Sequence, residues 1–182
     1  MACTGFRTLS RAIPVACALV PAIRSLPVLA QAPVETYDRW GVNAIVVLST
    51  AAVVCVCVLL HYEVLNLLSR GLSHREGQRR RRVLFAIFGV LSVHSAEIWI
   101  FGLTYALLLL DPQFGAVSGL GTGALDQVYL SAMTFTTVGA GAVHLSGPIR
   151  FLNGTEALTG LVLITWSASF TFLEMTRFWR EH

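Results

Sequence analysis

The residues that decide the fold are Thr134 to Pro148, which read Thr-Phe-Thr-Thr-Val-Gly-Ala-Gly-Ala-Val-His-Leu-Ser-Gly-Pro. They end a short apolar segment and lie between two long apolar segments. Glycine at alternate positions favours irregular backbone, which at membrane depth is tolerated only where it is buried in protein or lines water. The stretch therefore predicts a loop that lines a water-filled path or binds an ion. The alternative is a glycine-rich loop that merely turns a hairpin outside the membrane.

The composition around this stretch is that of a membrane protein. Of the 182 residues, 55% are hydrophobic and 13% are charged, and the mean hydropathy is +0.68. One soluble core of this size cannot bury so much apolar surface. We expect membrane lipid around the chain and no soluble partner. We also expect no enzymatic activity, because the sequence shows no nucleophile-base pair, metal-ligand cluster or phosphate loop.

The positive charge is concentrated at one point of the chain. All 13 basic residues are arginine, and Arg75 and the four arginines at 79–82 lie between two apolar segments. Such clusters mark the cytoplasmic side of a membrane protein, and we favour this reading over nucleic-acid binding. The chain is therefore expected to begin outside the cell and to end in the cytoplasm.

Hydropathy and chain breakers divide the sequence into four parts. Residues 1–32 have the layout of a secretory signal peptide, and an uncleaved arm on the membrane surface is the alternative. Residues 33–68 form an extracellular start and a first span at 41–62, and residues 69–82 form the basic cytoplasmic loop. Residues 83–182 contain a second span at 83–110, an outer loop at 111–124, a short helix at 125–136 and a last span at 156–178.

Two local signals refine the last of these parts. Asp126 is placed to cap the short helix or to act as an acid in its first turn. The pairs Gly147-Pro148 and Asn153-Gly154 are expected to break regular structure before the last span. The fold class that follows is an all-α membrane protein with three transmembrane helices and a re-entrant pore helix and loop.

The run Thr136-Thr137-Val138-Gly139-Ala140-Gly141 resembles the Thr-Thr-Val-Gly-Tyr-Gly filter of the potassium channel pore-domain family. Residues 83–178 contain the outer helix, half-length helix, loop and inner helix in that family's order. His94-Ser-Ala-Glu97-Ile-Trp99 and the run that begins at Glu156 resemble a bacterial branch with an extra helix in front. The resemblance implies a homotetramer in the inner membrane that passes potassium or other monovalent cations and needs no cofactor.

The resemblance also implies roles for the loop residues. Main-chain carbonyl groups would face the permeating ion, and the Thr137 hydroxyl would form the innermost site. The residues concerned are Thr137, Val138, Gly139, Ala140 and Gly141. Glycine is expected at 139 and 141 because the backbone there must adopt left-handed dihedral angles. Ala140 and Ala142 replace an aromatic and an acidic residue of the family pattern, which implies a less braced filter with reduced potassium selectivity.

Residues outside the filter are candidates for roles at the pore. Protonation of His144 at the outer mouth could reduce cation entry, or His144 could be a solvated loop residue without effect. Thr165, Ser169 and Phe172 form a helical stripe with Thr176, which could line the cavity or pack against other helices. Gly160 could be a hinge of the inner helix or a close-packing glycine.

His94 and Glu97 are an intramembrane polar pair three residues apart on one face of the second span. A carboxylate at this depth must face protein, and we expect it to contact the pore helix or the preceding span. Three roles remain open for this pair: a structural tie between helices, a gating or proton-sensing role, and a metal site. A metal site needs further ligands, which the sequence does not supply, so we expect no metal beyond the permeating cations. His61 and His94 could instead ligate haem, but His61 is expected near the inner end of its helix and His94 halfway along the next.

A poorly conducting accessory subunit is the other alternative to a cation channel.

Overall fold

The structure is a computed structural model that describes residues 39–73, 79–139 and 141–180. The described residues form four α-helices, one 3-10 turn and one antiparallel pair of short strands. In chain order these are α1 (Trp40–Ser73), α2 (Arg79–Leu108), the 3-10 turn (Pro112–Phe114), β1 (Ala116–Ser118), α3 (Ala124–Phe135), β2 (His144–Ser146) and α4 (Ile149–Arg180). The predicted leader at 1–32 and Ala140 lie outside the described residues.

Three of the helices are long and apolar enough to cross a membrane. Their membrane-compatible parts are Trp40–Gly71, Arg81–Leu108 and Ile149–Thr176. The shortest has 28 residues, which at about 1.5 Å per residue exceeds the roughly 30 Å of a hydrocarbon core. The protein is therefore an all-α multi-pass membrane protein, as predicted. We expected residues 69–82 to form a loop, but helix α1 continues to Ser73 and helix α2 begins at Arg79. Both ends of this segment are therefore helical.

The start of the last helix was predicted wrongly. Helix α4 begins at Ile149, directly after Gly147-Pro148, and runs through Asn153-Gly154 without a break. The Asn153 side chain donates hydrogen bonds to Thr134 Oγ1 at 2.7 Å and to Tyr105 Oη at 3.2 Å. These tertiary contacts outweigh the low helix propensity of asparagine and glycine, which propensity rules alone cannot foresee.

The loop on each side of α3 contains a strand that the sequence analysis did not predict. Strand β1 pairs with β2, and Val117 lies opposite Leu145. Strand β1 precedes α3, and β2 follows the glycine-rich loop. Because the two strands are paired, the segment of α3 and the loop begins and ends at the same place. Helix α3 has 12 residues, about 18 Å, which is too short to cross the membrane. The segment between α2 and α4 is therefore re-entrant.

Helix α3 packs between α2 and α4. Its buried residues recur with helical spacing and are Gln127, Leu130, Ser131, Thr134 and Phe135. Glycines on the flanking helices allow close approach: a Cβ atom at Gly102 would lie 2.8 Å from the Val128 Cα, and one at Gly160 would lie 2.1 Å from the carbonyl oxygen of Phe135. Small residues commonly permit such contacts between membrane helices. Gly160 therefore packs closely against the end of α3.

Candidate functional site

The amino end of α3 is closed by an acidic side chain. The Asp126 carboxylate accepts a hydrogen bond from the Gly123 amide at 3.1 Å, and Asp126 lies in the first turn of the helix. A negative charge at this end complements the positive end of the helix dipole. The prediction for Asp126 is confirmed. The opposite, partially negative end of α3 meets the loop that begins at Thr136.

The loop after α3 folds back onto the last turn of the helix. The Thr137 amide donates to the Thr134 carbonyl at 2.9 Å, and the Gly139 amide donates to the Met133 carbonyl at 3.1 Å. Gly139 and Gly141 have φ angles of 85° and 51°, in the left-handed region where side chains are disfavoured. Both angles therefore favour glycine at these positions. Thr137 also has a positive φ, 58°, which is uncommon for a β-branched residue.

This loop lies at membrane depth and presents an open face. The Phe135 carbonyl abuts Gly160, which lies 11 residues, or about 16 Å, into α4. Val138 is 71% exposed in the single chain, and a Cβ atom at Gly139 or Gly141 would meet no atom within 4 Å. Irregular backbone at this depth needs protein or water beside it rather than lipid. The exposed face of the loop therefore requires either an aqueous path or further protein.

A buried polar network lies behind the loop and joins three helices. The Tyr105 hydroxyl of α2 donates to Glu156 Oε2 of α4 at 2.7 Å, and the Ser131 hydroxyl of α3 donates to Glu156 Oε1. Asn153 extends the network to Thr134, the residue three positions before Thr137. Glu156 and Ser131 are fully buried. The network fixes the last turn of α3, and hence the start of the loop, against both long helices.

The sequence analysis missed this network as a site. Glu156 was noted as the start of the last span and of a run that resembles the family's inner helix, but no partner was assigned to it, although an ionisable residue inside a membrane helix is itself a signal of a functional or structural partner. Its partners could not be named, because Tyr105 is 51 residues and Ser131 is 25 residues away in the chain.

A cavity of about 280 Å³ lies beside the loop, between α3 and α4. Its lining includes Thr134, Thr137, Gly139 and Asn153 together with apolar residues of α3, α4 and β2. The cavity thus borders the network on one side and the loop backbone on the other.

The pair His94 and Glu97 is joined by a third residue. Glu97 is fully buried and accepts hydrogen bonds from His94 Nδ1 at 2.8 Å and from His61 Nδ1 at 2.9 Å. The expectation that Glu97 contacts the preceding span agrees with this geometry. The expectation that His61 and His94 lie at different depths was wrong, since their rings are 5.3 Å apart. Because both rings bind one carboxylate, the geometry does not favour a haem between them.

The remaining predicted site residues lie apart from this cluster. Thr165, Ser169 and Phe172 are exposed on α4 of the single chain, and the two hydroxyl groups bind carbonyl groups of their own helix. His144 is exposed on β2 opposite Ser118. These placements leave the stripe and His144 accessible from outside the single chain.

The comparison with known protein families agrees with this arrangement. Residues 93–177 match the family model described as ion channel. This part of the chain is similar to the ion channel family. The matched region covers the second half of α2, all of α3 and its loop, and nearly all of α4, whereas α1 lies outside it. No curated protein and no solved structure was found to match the chain.

Proposed function

We propose that four copies of the chain assemble around one axis and pass monovalent cations between their loops. The observation that carries this proposal is the re-entrant loop, which combines left-handed glycines at 139 and 141 with an unpartnered face at membrane depth. A closed ring of such loops would replace lipid with main-chain oxygens and water at that face. The filter would consist of Thr137, Val138, Gly139, Ala140 and Gly141.

The position of α3 supports cation passage. Its carboxyl end, which carries a partial negative charge, meets the start of the loop at Thr136. No charged side chain is among the described loop residues from Thr136 to Val143, so main-chain oxygens would supply the ligands for the ion. Oxygen ligands without formal charge suit weakly bound monovalent cations that must also leave the site.

We further propose that potassium selectivity is reduced and that the channel lies in the inner membrane with its amino end outside. Alanine at 140 and 142 removes the aromatic and the acid that brace the filter in the family pattern. The network around Glu156 holds the base of the loop at Thr134, but it does not reach the outer half of the loop. A filter that the network holds at its base, without the aromatic and the acid of the family pattern, should discriminate less sharply between potassium and sodium.

The test is ion flux through purified protein in liposomes, measured for the wild type, Gly139→Ala and Gly154→Ala. Alanine at Gly139 must adopt a φ of 85°, which costs about 1–2 kcal/mol in each chain. We expect Gly139→Ala to abolish potassium flux while the assembly still elutes as a tetramer. Gly154→Ala is the matched control because a Cβ atom at either glycine meets nothing within 4 Å, but Gly154 lies in helix α4 and has no positive φ.

Bi-ionic measurements on the wild type give the permeability ratio of potassium to sodium, which we expect to be low. A tetramer without flux under any cation gradient would favour the accessory-subunit alternative. A monomer or dimer, or a Gly139→Ala variant that conducts like the wild type, would refute the proposal.

A further inference from the structure

The cluster of His61, His94 and Glu97 has the composition of a transition-metal site. One potential ligand atom from each residue lies within 4.8 Å of the other two. His61 and Glu97 are fully buried, and the His94 side chain is 14% exposed. Two imidazoles and one carboxylate are a donor set that Zn²⁺ and other divalent first-row metals accept, with a fourth position left for water.

We propose that this cluster binds one divalent transition-metal ion per chain, which links α1 to α2 beside α3. The sequence alone showed only His94 and Glu97, three residues apart, and the fold adds His61 from the preceding helix. The proposal concerns binding within one chain and does not rest on the proposed channel function.

The geometry requires only small movements to accommodate the ion. Ligand atoms about 2.0–2.1 Å from a tetrahedral metal lie about 3.3 Å apart. The two Nδ1 atoms are already 2.8 and 2.9 Å from the oxygens of Glu97. An ion between them would replace the two hydrogen-bonded protons. Rotation of the partly exposed His94 side chain would open the remaining space.

A neighbouring hydroxyl group can support the change of tautomer that metal binding requires. With Nδ1 of His61 bound to a metal, the proton of the neutral ring moves to Nε2. Ser167 Oγ lies 3.2 Å from that Nε2 atom, and a hydroxyl group can donate or accept a hydrogen bond. Ser167 would therefore orient His61 with or without metal, as residues behind metal-binding histidines commonly do.

Charge also favours the ion. Glu97 is fully buried, and the two groups that contact its oxygens are imidazoles. A buried carboxylate is costly unless it is paired or coordinates a metal. The ring of His94 also contacts the ring of Phe135 at 5.8 Å, so an ion here would stiffen the contact between α2 and the end of α3 from which the loop starts.

The test is Zn²⁺ binding to the purified full chain in detergent, by calorimetry and by metal analysis after desalting. The background carries His144→Ala, which removes an exposed histidine that could bind Zn²⁺ at the surface. We expect one tight Zn²⁺ per chain in the background and an affinity at least about 100-fold weaker in His94→Gln and Glu97→Gln. Ser167→Ala should weaken binding by about 10- to 100-fold. Asp126→Asn is the control and should bind as the background does.

Cysteines and the other histidines are common to all variants, so they cannot account for a difference between them. Equal Zn²⁺ binding by the background and His94→Gln, or no tight Zn²⁺ in the background, would overturn the proposal. Should the variants misfold, X-ray absorption of the Zn²⁺-loaded background decides the matter. Imidazole and carboxylate ligands are expected, and a sulfur-rich ligand set would refute the assignment.

Discussion

Gly160 offers a test of how closely the loop depends on helix packing. An ideal Cβ atom at Gly160 would lie 2.1 Å from the carbonyl oxygen of Phe135 and 2.8 Å from its carbonyl carbon. Both atoms belong to the backbone, so no side-chain rotation can relieve the clash. To restore an ordinary contact of 3.4 Å to the oxygen, the end of α3 and α4 must separate by about 1.3 Å.

The expected energy of Gly160→Ala follows from this displacement. Overpacking in a tightly packed interior costs about 1–3 kcal/mol, and sometimes more. If the substitution destabilises the conducting conformation by this amount relative to non-conducting ones, the population of the conducting conformation drops by about 5- to 150-fold. Because Phe135 is two residues before Thr137, the separation is transmitted directly to the base of the loop. We expect a corresponding loss of potassium flux.

Gly154→Ala is the matched control for this experiment. It lies on the same helix, and its Cβ atom would meet nothing within 4 Å. Both substitutions gain the same helix propensity, about 1 kcal/mol at most, so that term cancels in the comparison. The assay is potassium flux from liposomes together with thermal stability of the assembly in detergent. Equal flux and equal stability of the two variants would show that the contact between Gly160 and Phe135 does not position the loop.

Two further substitutions test the polar network around Glu156 and the cap of α3. Tyr105→Phe removes the hydroxyl that donates to Glu156, and a buried acceptor without its donor costs about 1–3 kcal/mol. We expect lower thermal stability and a lower ratio of potassium to sodium permeability, whereas Tyr129→Phe, at a half-exposed ring, should change neither. Asp126→Ala removes the acceptor of the Gly123 amide and should destabilise the protein by about 1 kcal/mol, with Asp126→Asn in between. An unchanged melting temperature for either Tyr105→Phe or Asp126→Ala would contradict the role assigned to that residue.

The features that could be predicted from the sequence are those encoded locally. Hydropathy over about 20 residues reveals each span, because burial in lipid depends on the segment itself rather than on its neighbours. The glycines at 139 and 141 reveal backbone that needs left-handed dihedral angles. Asp126 marks the start of α3 because a helix amino end favours an acid in its first turn.

The features that could not be predicted depend on contacts between distant segments. Asn153-Gly154 reads as a break, but its side-chain partners Thr134 and Tyr105 hold it in helix α4. Strand β1 depends on β2, which lies 26 residues further along the chain at the paired positions Ser118 and His144. No periodic pattern carries that information. The pairing of His61 with Glu97 across 36 residues is hidden for the same reason.

Phe135 connects these distant contacts to the loop. Its ring lies 5.8 Å from His94 and 6.4 Å from Phe101, and its backbone abuts Gly160. A displacement of the histidine cluster and a change in the packing of α4 therefore both act on Phe135. Close-packed side chains transmit such displacements through their direct contacts. The base of the loop is thus positioned by α2 and α4 together, while the loop face beyond Thr137 is free to contact neighbouring chains in the proposed assembly.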